Sequence, residues 1–359
     1  LAFALRRHRG KAWTLPLFMK SDMINPLGAG LISFIVDGNR SVLFAGTRGA
    51  GKCVAGDTNI QLSNGNIVEI ENMIGEQKKT IDDGTVHHSS ASGEALALSD
   101  QNNISEEKIT GVWKRESPKK TVRINTKSGR EIVTTPEHPY FTYERDLSQV
   151  RADELKEGDY IATPRQFEAS TSTQNISLDP DKFDYRETEE KYHLTGETSS
   201  QEITLPKKVN EELAEFLGLL LGDGSINERK IEFHNSVEEI QERFNSTASQ
   251  FNVNSRKFES HSTTVTQINC RNLSRVLDDV FSVPFGAKSG QIEIPELVLK
   301  SPDNIVKSFL RGYFAADGYV AKEKREIELS TKSHKMMKQL ELVLLRFGIV
   351  AFTKQKETE

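Results

Sequence analysis

The sequence predicts a multidomain chain: a fragment of an α/β unit, then a mostly-β segment, then an α/β segment built as a duplication. Three observations carry this reading. A strand-like run, Ser41–Ala45, leads into Gly46-Thr47-Arg48-Gly49-Ala50-Gly51-Lys52, the G-x-x-x-x-G-K spacing of a phosphate-binding loop. Directly behind Lys52, alternating apolar residues and turn signals replace the apolar helix that such a loop needs. Beyond residue 205, two apolar helical stretches each end in Asp-Gly and are each followed by a strand and another helix, which is an internal repeat.

Length and composition bound the rest. A chain of 359 residues has room for two or three domains. With 36% hydrophobic and 28% charged residues it reads as a soluble globular protein. No apolar run of about 18 residues exists to cross a membrane, and no signal peptide is visible. Two cysteines, Cys53 and Cys270, provide neither a disulfide framework nor zinc spacing, and they fit a reducing, cytoplasmic location. Charge is uneven: residues 1–52 carry 8 Lys/Arg against 2 Asp/Glu, residues 53–206 carry 17 against 28, and residues 207–359 carry 22 of each. Any DNA-facing positive surface in the last third must therefore be local. The chain starts at Leu1 rather than Met and stops at Thr358-Glu359 without a helix stop, so it is read as a fragment cut at both ends.

In residues 1–52, Leu1–Arg9 is short, basic and apolar, and Trp13–Met19 is extended around Pro16. Asn25-Pro26 can open a helix over Leu27–Val36, closed by Asp37-Gly38-Asn39. Strand Ser41–Ala45 and the loop follow. The stretch NPLGAGLISFIVDGNRSVLFAGTRGAGK resembles the archaeal type II/IV secretion ATPases. That resemblance implies a homo-oligomeric, hexameric host ATPase at a membrane secretion or pilus system, using ATP and Mg²⁺. The loop should continue with Ser or Thr, whose hydroxyl binds Mg²⁺; Cys53 stands there, and a thiol is a poor ligand for so hard a cation. The nucleotide site breaks off between Lys52 and Cys53. This chain is expected neither to hydrolyse ATP nor to bind it tightly.

Residues 53–165 read as short strands and turns. Ile60, Leu62, Ile67, Val68 and Ile70 fit a hairpin around Ser63-Asn64-Gly65-Asn66. Residues 76–107 are polar and read as a loop or variable insertion, with His87-His88 lacking partners at zinc spacing. Ile109–Trp113, Thr121–Asn125 and Arg130–Thr134 read as strands, then comes Thr135-Pro136-Glu137-His138. Cys53-Val54-Ala55-Gly56-Asp57-Thr58 resembles the first residues of an intein, a protein-splicing element inserted in a host protein. Thr135 and His138 match that family's Thr-x-x-His, and Gly158-Asp159-Tyr160-Ile161 a later turn and strand. The resemblance implies the mostly-β Hint splicing fold.

Residues 166–204 are polar and acidic and read as a connector between domains. In residues 205–359, Asn210–Leu221 and Ile305–Ala316 are the apolar helices, and Lys230–Phe233 and Glu326–Leu329 the strands. Val237–Phe251 and Ser333–Phe347 are the second helices. The helix ends Phe216-Leu-Gly-Leu-Leu-Leu-Gly-Asp223-Gly224 and Leu310-Arg-Gly-Tyr-Phe-Ala-Ala-Asp317-Gly318 resemble the duplicated motif of LAGLIDADG homing endonucleases, which are often nested in inteins. Gly218, Gly222, Gly312 and Ala316 would let two helix backbones approach closely. Gly224 and Gly318 would take the left-handed helix-ending conformation.

These resemblances imply chemistry. The Cys53 thiol would attack the Lys52 carbonyl, His138 would protonate the leaving nitrogen, and Thr135 would help hold the bond. The family's terminal His-Asn and downstream nucleophile have no match after Lys354, so ligation is not expected of this chain alone. Asp223 and Asp317, each opposed by its own helix dipole, would bind Mg²⁺ and cut double-stranded DNA at the host gene lacking the insertion. Lys288 is a candidate electrostatic helper. The competing reading is a working P-loop ATPase carrying a catalytically inert, DNA-binding insertion.

Overall fold

The computed structural model describes residues 2–6, 30–37, 40–45, 53–73, 79–81, 86–89, 93–98, 104–116, 120–143, 147–195, 202–260, 263–286, 288–321 and 326–355. Its contacts divide it into two compact units. One comprises Leu1–Arg7, Thr171–Glu341 and Thr353–Glu359, the other His8–Ser170 and Leu342–Phe352.

The unit that contains Cys53 is built mostly of strands. Asn59–Gln61 and Ile67–Glu69 form the expected hairpin. Its turn needs Gly65, whose φ of 89° lies in the left-handed region, while Asn64 Oδ1 accepts the Asn66 N–H at 3.0 Å. The longest strand, Ile104–Glu116, pairs with Glu94–Leu98, with Val86–Ser89 and with Gly30–Asp37. The expectation of a loop across 76–107 is corrected here, because Lys79–Ile81, Val86–Ser89 and Glu94–Leu98 are strands. Polar composition conceals strands that bury few side chains: in Glu94–Leu98 only Ala95 is buried. The helix expected over Leu27–Val36 is likewise a strand, Gly30–Asp37, antiparallel to Arg40–Ala45. Its Leu-Ile-Ser-Phe-Ile-Val run is rich in β-branched and aromatic residues, and that preference outweighs the Asn-Pro start signal. Gly46–Lys52 lies outside the described residues. Two more hairpins, Val122–Asn125 with Glu131–Thr134 and Pro139–Tyr143 with Leu147–Arg151, flank the Thr135–His138 turn. Cys53, Val54, Ala55, Ile70, Ala95, Ile109 and Val112 form the core.

The other unit is α/β. Residues 166–204, expected to be a connector, supply Tyr185–Glu187, Lys191–Leu194 and the start of Ile203–Pro206, the three strands of an antiparallel sheet. Sparse apolar residues anchor the segment: Phe167, Ile176, Leu178, Phe183, Leu194, Ile203 and Leu205 are all buried. The helices are α1 (Glu211–Asp223), α2 (Glu238–Ala248), α3 (Arg271–Phe281), α4 (Glu296–Leu299), α5 (Asp303–Asp317) and α6 (His334–Arg346). Asn210 caps α1, its side chain accepting the Leu213 N–H at 2.8 Å.

The duplication is visible in the element order. After α1 come strands Gly224–Ile226 and Ile231–His234 and then α2; after α5 come Gly318–Ala321 and Glu326–Ser330 and then α6. Gly224 and Gly318 end their helices in extended conformation, at φ −97° and −86°, which corrects the left-handed expectation. Space is what requires glycine there. A Cβ on Gly224 would stand 2.6 Å from the Leu220 carbonyl oxygen, and one on Gly318 would stand 3.1 Å from the Phe314 carbonyl carbon. Beside α1, Phe216, Phe233, Phe244 and Phe251 stack into an aromatic core, with Phe233 and Phe244 nearly parallel at 4.3 Å.

Candidate functional sites

The first site lies where the segment starting at Cys53 pairs with the end of strand Glu131–Thr134. The Cys53 N–H donates to Thr135 Oγ1 at 3.0 Å, and the Thr135 N–H donates to the Cys53 carbonyl at 2.9 Å. Val54 bridges Thr134, and the Ala55 N–H donates to the Val133 carbonyl at 2.8 Å. A short antiparallel ladder therefore fixes the backbone of Cys53, whose side chain is fully buried, as is that of Thr135.

His138 closes the turn that Thr135 opens, its N–H donating to the Thr135 carbonyl at 3.1 Å. Pro136 sets the turn, being favoured at its second position. The Ala152 N–H donates to the His138 carbonyl at 2.8 Å, tying the turn to the next hairpin. The His138 ring lies 5.2 Å from that of Tyr140. Tyr140 is buried, which pushes its pKa up to about 12, while its hydroxyl donates to Thr134 Oγ1 at 3.4 Å and pulls the other way. Sequence reasoning missed Tyr140, although an aromatic residue two positions past a candidate catalytic histidine is a usable signal. The Gly158-Asp159 turn has Gly158 at φ 97°, and Ile161 bridges Thr142.

The second site is the meeting of α1 and α5. The two helices run parallel, and their small residues form the seam. A Cβ on Gly218 would stand 2.8 Å from the Tyr313 backbone nitrogen, and one on Gly312 would stand 3.0 Å from that of Leu219. A Cβ on Gly222 would stand 2.5 Å from the Ala316 Cβ and 3.5 Å from the Asp317 nitrogen. The C-terminal ends of both helices thus come together, and each ends in an aspartate that is half-buried. Asn235 Nδ2 donates to Asp223 Oδ2 at 2.6 Å.

Further up the seam, the buried carboxylate of Glu215 is held by two guanidiniums. Arg243 Nε donates to Oε1 at 2.8 Å and Arg311 Nε to Oε2 at 3.1 Å, each reinforced by its Nη2. Burial pushes the Glu215 pKa up, but the hydrogen bonds from Arg311 and Arg243 outweigh it, and the net shift is downward. Nothing in the sequence alone paired these three residues. Lys288 opens the turn Lys288–Gly290, and its side chain lies outside the described residues.

An A-type ATP synthase subunit of Pyrococcus abyssi is 28% identical over 87% of this chain, and the chain spans 30% of its length. Replication factor C small subunit of Methanocaldococcus jannaschii is 29% identical over 88% of the chain, which spans 15% of that protein. A probable translation initiation factor IF-2 of Thermococcus kodakarensis is 28% identical over 67% of the chain, which spans 25% of it. The family model for the intein splicing domain matches residues 60–357, most of the sequence, and the protein belongs to that family.

Proposed function

We propose that this chain is an intein that begins at Cys53 and carries a nested homing endonuclease, interrupting the phosphate-binding loop of a secretion-type host ATPase. The observation that carries the splicing half is the bond from the Cys53 amide to Thr135 Oγ1. That nitrogen is the atom released when the Cys53 Sγ attacks the Lys52 carbonyl. The Lys52–Cys53 C–N bond breaks, a thioester C–S bond forms, the thiol gives up one proton, and the nitrogen gains one and becomes an amine. His138 is the acid that supplies its proton, and Thr135 holds the peptide plane for attack. The relatives support an inserted element. Their names are as different as a component of an ATP synthase, a replication factor and a translation factor, yet each matches 67–88% of this chain while the chain spans at most 30% of them.

The nuclease half rests on Asp223 and Asp317 ending two helices that meet at one end. Among the described residues no group of three or more His, Cys, Asp or Glu could hold a metal. Two carboxylates suit Mg²⁺, which keeps several waters and takes substrate phosphate oxygens for the rest of its shell. Bound there, Mg²⁺ would activate water and stabilise the leaving oxygen of a DNA phosphodiester. Lys288 would assist electrostatically. DNA at the uninterrupted host site is the partner, the location is cytoplasmic, and the spliced host is a hexameric, ATP- and Mg²⁺-dependent secretion ATPase.

The test of the splicing half needs only this chain. Incubation with dithiothreitol should release the segment upstream of Cys53 by attack on the thioester, and Cys53→Ala should abolish release. Equal release from Cys53→Ala would overturn the assignment.

A further inference from the structure

The two repeats end their aspartate-bearing helices alike, but the residue at the turn after the following strand differs between them. In the first repeat, strand Ile231–His234 runs into Asn235, which has four defined links. Its N–H donates to the Thr264 carbonyl at 3.1 Å, and its carbonyl accepts from Gln241 Nε2 at 2.8 Å. Its Oδ1 accepts the Val237 N–H at 2.8 Å, forming the turn that starts α2. The remaining amide group, Nδ2, donates to Asp223 Oδ2 at 2.6 Å.

In the second repeat, strand Glu326–Ser330 runs into Thr331, and Thr331 Oγ1 accepts the Ser333 N–H at 3.1 Å before α6. Asn235 and Thr331 are therefore the same turn position in the two copies. Threonine is shorter and lacks an amide. Tyr313 stands fully buried one turn before Asp317 on α5, and its buried hydroxyl makes no hydrogen bond. The matching place on α1 is Leu219, which has no hydroxyl to offer.

We infer that Asn235 is the positioning residue for the Asp223 carboxylate, and that Thr331, which lacks an amide to donate, does not play that part at Asp317, so that the two halves of the site are not equivalent. The inference rests on the nuclease reading. A neutral N–H donor on Oδ2 fixes the carboxylate's rotation and leaves it charged. Partners of this kind set metal affinity by about 10–100-fold.

The test is Mn²⁺ binding to the full chain without DNA, read from the electron paramagnetic resonance signal of the free ion, together with the melting temperature. Asn235→Ala removes both the turn acceptor and the amide donor. Asn235→Thr copies the second repeat and restores the acceptor alone. Both variants should bind Mn²⁺ about tenfold more weakly, while Asn235→Thr melts with the parent protein. Parental affinity in Asn235→Ala, or affinity regained by Asn235→Thr together with stability, would assign Asn235 to the turn and overturn the inference. Asp223→Asn separates the two levels: if it too binds Mn²⁺ as the parent does, the nuclease reading itself fails.

Discussion

Cys53 and Thr135 exchange two hydrogen bonds: the Cys53 amide donates to Thr135 Oγ1 at 3.0 Å and the Thr135 amide donates to the Cys53 carbonyl at 2.9 Å. The pairing joins residues far apart in sequence at the first atom of the proposed reaction. An amide nitrogen donates modestly; an amine that has gained a proton donates more strongly. The bond to Thr135 Oγ1 therefore strengthens as the Lys52–Cys53 link breaks. Thr135→Val keeps the shape and removes the acceptor. It is expected to slow dithiothreitol-induced release about tenfold, equivalent to about 1.4 kcal/mol, with Thr135→Ser restoring it. Release at the parental rate in Thr135→Val would show that the hydroxyl is a structural cap only.

The glycine seam makes a second prediction, on stability. At Gly218 and Gly312 the would-be Cβ runs into backbone atoms of the facing helix, which cannot swing away as a side chain could. Gly218→Ala or Gly312→Ala should each destabilise the helix-pair unit by about 1–3 kcal/mol, the cost of overpacking. Urea unfolding followed by a helix signal measures this. A control at Gly290, where a Cβ meets nothing within 4 Å, should be close to neutral.

How far the sequence disclosed this design depends on the kind of signal. The α1 and α5 helices were legible because apolar residues recur at helical spacing before each Asp-Gly, and the close approach through Gly218, Gly222, Gly312 and Ala316 was legible through the family resemblance. Cys53 and Thr135 were legible only through family resemblance, since nothing local pairs residues so distant. The Glu215 clamp was not legible at all: Arg243 and Arg311 approach it from two other helices, and ion-pair partners follow from tertiary packing, which carries no short-range pattern. Residues 166–204 misled because their few apolar residues, Phe167, Ile176, Leu178 and Phe183, lack periodicity yet are all buried.

The Glu215 clamp predicts a pH dependence. Its folded pKa lies below the ordinary value of 4.5. The stabilisation is therefore fully present above the unfolded pKa and is lost as pH falls through the folded one. Glu215→Gln should cost about 1–3 kcal/mol near neutrality by leaving two guanidiniums without their carboxylate. The difference between parent and variant should shrink steadily as pH falls below about 4.5. Urea midpoints over that range check it; a difference that stays constant with pH would mean that Glu215 contributes by packing alone.

The last prediction concerns Asp223 and Asp317. Each carboxylate ends its helix against the unfavourable pole of the dipole, at a cost of roughly 0.3–1 kcal/mol, and the seam brings the two ends together. Like charges so placed repel, so a divalent cation should stabilise the unit, and Mg²⁺ should raise its melting temperature. Neutralising one carboxylate relieves the repulsion and removes a ligand at once. Asp223→Asn and Asp317→Asn should therefore melt higher than the parent without metal and respond less to Mg²⁺. DNA binding should largely survive in both, because it draws on phosphate contacts elsewhere. Cleavage separates the roles of the two residues. On a plasmid carrying the uninterrupted host site, each single variant should lose double-strand cutting, and the two variants should differ in which strand they still nick. Undiminished double-strand cutting by the Asp223→Asn, Asp317→Asn double variant would remove both residues from the reaction, whatever their effect on stability.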